Sequence, residues 1–113
     1  MKTIKNLIEE KRNEVHKENL QPPEAAELLK DLSALMGNVL SEIRQRDYDY
    51  NLVLQKCRKE EKSAVDAKIS AETSKEYLAK REAEDTQKVV KEMVAGLKYF
   101  LREAESEYRQ SGN

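Results

Sequence analysis

The sequence predicts an all-α protein, a long antiparallel helical hairpin of coiled-coil type with a short N-terminal amphipathic helix. Three observations predict it. Leu32, Met36, Val39, Ile43, Arg46, Tyr50, Val53 and Cys57 alternate in spacings of four and three residues, which is the a/d seam of a coiled-coil helix with one charge, Arg46, on it. Charged residues make up 38% of the chain, with three Gly, two Pro and no Trp, a composition suited to long exposed helices rather than to a compact mixed fold. Helical periodicity then returns in the C-terminal half and supplies the partner that the seam requires.

Residues 3–18 carry Ile4, Leu7, Ile8 and Val15 on one face and Glu9, Glu10, Lys11 and Arg12 mostly on the other, so a short amphipathic helix is expected. His16 lacks a Cys, Asp or second His at ligand spacing and is assigned no chemistry. Asn19-Leu20-Gln21-Pro22-Pro23 disfavours helix before each proline and forms a linker.

A long helix is predicted over 23–61. Proline is tolerated at its first turn, and Glu24 and Glu27 complement the positive end of its dipole. Ala25 and Leu29 extend the seam backwards. In the first half Ala25, Leu28, Leu29, Leu32, Leu35, Met36, Val39, Leu40 and Ile43 form a stripe wider than one partner helix covers. Residues 58–62 are charged without a break, and Ser63-Ala64-Val65-Asp66 has the form of a capping box, which places a turn near Lys62 and Ser63. With no glycine there, the alternative is one helix running through this point.

A return helix is predicted over 64–110. Ala64, Ala67, Ala71, Ser74 and Leu78 give way to Ala79 and Ala83, and then Val90, Val94, Leu97, Leu101, Ala104 and Tyr108 restore the seam. Folding the chain back at Ser63 sets Leu32 against Met93 and Val94, and Tyr50 against the region of Ala71, Ser74 and Leu78. Arg46 then falls near Ala79, in reach of Glu76 or Glu82. All of residues 1–113 belong to one helical domain. Leu28, Leu35, Leu40, Val89, Met93 and Phe100 remain beside the seam and are expected to form an oligomer interface, at least a dimer joined as a four-helix bundle. In the competing arrangement the first helix folds back and completes a three-helix monomer.

The stretches EEKSAVDAKISAETSKEYLAKREAE and VVKEMVAGLKYFLREAESEYRQ resemble small helical-hairpin proteins encoded by tailed bacteriophages, in which a seryl turn leads into an Ala-rich return helix ending LKY-x-LR. The resemblance covers the C-terminal half and assigns no functional residue. It implies a phage or prophage origin and an accessory role in the host cytoplasm.

Composition narrows the function classes. Lys and Arg number 21 against 22 Asp and Glu, so no whole-chain field attracts nucleic acid or anionic membrane. A single cysteine on the seam excludes an internal disulfide and suits a reducing, cytoplasmic setting. The N-terminal stretch has acids within its first ten residues and no continuous apolar run, so neither a signal peptide nor a membrane anchor is expected. There is no Ser/His/Asp or Cys/His set, Gly-rich phosphate loop or Cys/His metal spacing, and no catalytic activity, metal or cofactor is expected. The expected function is that of a non-enzymatic interaction protein that self-associates and binds a protein partner still to be identified. The alternative is a nucleic-acid-binding accessory of recombination or replication. It would use Lys56, Arg58, Lys59, Lys62 and Lys68 at the hairpin tip, where eight cations stand against five acids over residues 56–81.

Overall fold

The structure, a computed structural model, describes residues 3–61 and 63–111. The described residues form four helices, α1 (Ile4–Val15), α2 (Pro22–Glu60), α3 (Ala64–Glu72) and α4 (Lys75–Ser111). The long α2 and α4 pack antiparallel. At about 1.5 Å per residue each exceeds 50 Å in length.

The first helix is started by Thr3, whose hydroxyl accepts from the Asn6 amide at 3.1 Å. It ends at Val15, short of residue 18, because the chain must reverse before the prolines. Asn19 makes the reversal with φ 63°, a left-handed conformation that asparagine tolerates better than most residues. The second helix begins at Pro22. Glu24 accepts from the Gln21 amide at 3.3 Å, a side chain at the third helical position satisfying the backbone donor that precedes the helix.

The chain turns after Glu60. Ser63 is extended (φ -136°) and its hydroxyl accepts from the Asp66 amide at 3.1 Å, as the capping sequence requires. Lys62, the other residue of the expected turn, lies outside the described residues.

The return segment is broken, where one helix over 64–110 was expected. Thr73 Oγ1 donates to the Ser70 carbonyl at 2.7 Å and Ser74 Oγ donates to that of Ala71, closing off the last carbonyls of α3. Ser74 Oγ then accepts from the Tyr77 amide at 3.2 Å and caps α4. Two adjacent hydroxyl residues thus offer the backbone local partners that compete with helix continuation. The break resets the heptad phase. Leu78, expected in the seam, is 62% exposed, and Tyr77 lies instead against Tyr50 with ring centroids 5.4 Å apart.

Two compact units are distinguished by their contacts, residues 1–38 with 88–113 and residues 39–87. The core of the first holds Ile8, Ala25, Leu28, Leu32, Val90, Met93 and Leu97, an aliphatic set in which Leu32 and Val90 are fully enclosed. In that unit α1 folds back along α2, with Lys11 Nζ 3.1 Å from Asp31 Oδ2 and Lys17 paired to Glu24. The second unit buries Val39, Tyr50, Ala67, Ala71 and Ala83, one large ring and otherwise small side chains.

Candidate interaction surfaces

The third helix carries apolar side chains on its outward face as well as its inward one, more than its own core requires. Ala67 and Ala71 face inward and are buried, whereas Val65 and Ile69, one turn apart, are 68% and 57% exposed. Inward placement of the two β-branched side chains would bury far more apolar area than two alanines do. On α2 in the same unit Tyr48 and Leu52, also one turn apart, are exposed. Leu52 and Val53 line a groove of about 600 Å³ with Arg46, Asp49, Lys75, Glu76 and Ala79.

In this groove Arg46 lies beside Ala79, as the hairpin register requires. Its carboxylate partners differ from those expected. Arg46 Nη1 is 3.4 Å from Asp49 Oδ2 and Nη2 is 3.7 Å from Glu42 Oε1, both on α2, and neither Glu76 nor Glu82 pairs with it. A half-exposed guanidinium reaches its own helix neighbours at i-4 and i+3 with less ordering of its long stem than a cross-helix bridge demands.

Of the seam residues, Leu32, Val39 and Tyr50 are buried, and Met36, Ile43, Arg46, Val53 and Cys57 are half-buried. The six residues expected at an oligomer interface separate into two sets. Leu28 and Met93 are covered within the chain, at 4% and 5% exposure, which corrects the expectation that they remain for a partner copy. They lie in the unit to which α1 belongs, and its fold-back along α2 removes part of the surplus apolar surface. Leu35, Val89 and Phe100 are half-buried, and Leu40 is exposed. At the tip Lys56, Arg58, Lys59 and Lys68 are exposed, with Glu60, Glu61 and Asp66 exposed among them. Lys62 again lies outside the described residues.

Two further grooves belong to the first unit, and their charges are arranged differently. One of about 450 Å³ is lined by Lys11, Glu14, Lys17, Leu20, Glu24, Glu27, Leu28 and Asp31 and is internally paired. The hydrogen bond to Asp31 chiefly holds the Lys11 ammonium above the ordinary lysine range, with Glu14 adding to it and desolvation opposing it. The Glu24 carboxyl is held below its ordinary range, first by Lys17 and then by the Gln21 amide. The other, of about 390 Å³, is lined by Ser33, Met36, Lys91, Val94, Ala95 and Lys98. Its lysines belong to a stripe on α4 formed by Lys88, Lys91, Lys98 and Arg102, all exposed and without ion-pair partners among the described residues. The sequence-based expectation placed the basic surface at the tip and missed this one. The signal was the spacing of 3, 7 and 4, which puts four cations on one helical face with only Glu92 between them in sequence.

Among the described residues no group of three or more His, Cys, Asp or Glu is arranged to hold a metal ion, and no helix is long and apolar enough to cross a membrane. No family model matches the chain, and neither a curated protein nor a solved structure is similar to it at a significant level.

Proposed function

We propose that the chain is a non-enzymatic helical interaction protein that self-associates and binds a macromolecular partner in the cytoplasm. The observation that carries this reading is the third helix, which holds alanines in its core and presents Val65 and Ile69 to solvent. Together with Tyr48 and Leu52 they give the second unit apolar side chains that contribute little to its own stability and are available to another chain. The resemblance of the C-terminal half to phage-encoded helical hairpins supplies the setting, an accessory protein that engages a component of the host or of the phage.

The test is co-purification from the encoding host with the wild-type chain and with a Val65→Ser/Ile69→Ser double variant. The expected result is a stoichiometric partner that is lost from the variant while its helicity is retained. Sedimentation equilibrium of the purified chain tests self-association separately. A sharply salt-dependent mobility shift with nucleic acid, abolished by Lys56→Glu/Lys59→Glu, would instead support the nucleic-acid-binding alternative at the tip.

A further inference from the structure

The groove of Ser33, Met36, Val94 and Ala95 has two unlike walls. On α4 the four cations Lys88, Lys91, Lys98 and Arg102 follow one face over about 20 Å, at about 1.5 Å per residue. On α2 the stretch from Leu32 to Asn38 has no charged residue, and the short side chain of Ser33 keeps that wall low. Between the walls the floor is aliphatic, formed by Met36 and Val94.

We infer that this groove docks an acidic amphipathic helix of a partner protein, with aliphatic residues of that helix seated on Met36 and Val94 and its carboxylates paired to Lys91 and Lys98. Helices approach most closely, toward about 8 Å between axes, where the contacting side chains are short, and Ser33 and Ala95 provide that approach. Lys91 and Lys98 are seven residues apart on one face, the repeat at which a helix lying along the groove presents successive carboxylates. Lys88 and Arg102 continue the row at either end. Among the described residues none of these cations is paired with a carboxylate, in contrast to the paired groove beside α1.

Other occupants fit less well. A phosphate backbone gains nothing from an apolar floor and would meet no cation on the α2 wall from Leu32 to Asn38. An anionic membrane requires apolar side chains that protrude, whereas these form a recess. A small molecule would be poorly enclosed in an open furrow along two helices.

This inference rests on the reading of the chain as an interaction protein but uses a surface other than that of Val65 and Ile69. The probe is a labelled alanine-based helical peptide of about 20 residues, with Leu along one stripe and Glu repeating at seven-residue intervals beside it. Its binding is followed by fluorescence anisotropy. The expected result is saturable binding of one peptide per chain, weakened about tenfold or more by Lys91→Glu/Lys98→Glu and restored when the peptide's Glu residues are exchanged for Lys. Ala95→Gln, an exposed substitution that crowds the groove beside Val94 without altering charge, should also weaken it. Absence of binding, or binding indifferent to these variants, would overturn the inference. So would a duplex oligonucleotide that binds through Lys91 and Lys98 where the peptide does not, or a dimer that the same variants dissociate. The Val65→Ser/Ile69→Ser variant should bind the peptide normally. Failure of the peptide while partner capture by the wild type persists refutes the groove and leaves the interaction reading standing.

Discussion

Tyr50 of α2 and Tyr77 of α4 meet at a tilt of 48°, and Lys80 Nζ sits 5.0 Å from the centroid of the Tyr50 ring. This contact depends on the break at Thr73 and Ser74, because the restarted helix presents Tyr77 rather than Leu78 to the partner helix. Tyr50→Ala should cost about 3–5 kcal/mol, as for other large aromatics removed from a core. A double-mutant cycle with Tyr77→Ala should return a coupling of about 0.5–1.5 kcal/mol. Leu78→Ala should lie within about 0.5 kcal/mol of wild type, as expected for an exposed position. Urea unfolding monitored by circular dichroism measures all three, and a large cost at Leu78 would mean that α3 and α4 are continuous.

Arg46 occupies the heptad position after Val39 without a cross-helix carboxylate. With its side chain 39% exposed and its partners Glu42 and Asp49 on the same helix, Arg46→Leu should change stability by no more than about 1 kcal/mol. Glu76→Ala and Glu82→Ala should be nearly neutral as well. A loss of several kcal/mol on removing Glu76 would reveal a buried interhelical pair instead.

Gly37 and Gly96 lie inside long helices where an added Cβ meets nothing within 4 Å. Glycine there carries the entropic cost of a flexible backbone with no steric need for it in the monomer. Gly37→Ala and Gly96→Ala should each stabilise the isolated chain by about 0.5–1 kcal/mol, read as a rise in the denaturation midpoint at unchanged slope.

Attachment of α1 should depend on pH at both extremes. The carboxyl of Glu24 is depressed in the folded chain, so its contribution is present above the ordinary carboxylate range and lost as pH falls through the depressed value. Lys11 is raised, so its contribution is present below the ordinary lysine range and lost as pH rises through the raised value. Both pairs are largely solvated and screened by salt, so the effects should be small. Cα chemical shifts of Ile4–Val15 should be flat through neutral pH and move towards coil values at either end. Lys17→Ala should weaken the acid limb, leaving what the Gln21 amide contributes, and leave the alkaline one unchanged.

The sequence by itself determined the all-α class, the antiparallel pairing of α2 with α4, and the Ser63 cap that starts the return. Heptad spacing acts along one helix at a time, and a capping hydroxyl acts within one turn, so both can be read from neighbouring residues. Only the tertiary structure decided the break at Thr73 and Ser74, since the same hydroxyls are tolerated inside helices when packing holds the backbone in place. It also decided that α1 lies along α2 with Leu28 and Met93 covered, because a wide apolar stripe is satisfied equally by a helix of the same chain or of another. The partners of Arg46 and the unpaired row of Lys88, Lys91, Lys98 and Arg102 were decided at the same level. Charge pairing depends on distances of a few ångströms between elements, and helical periodicity fixes the face on which a charge lies but not what stands opposite it.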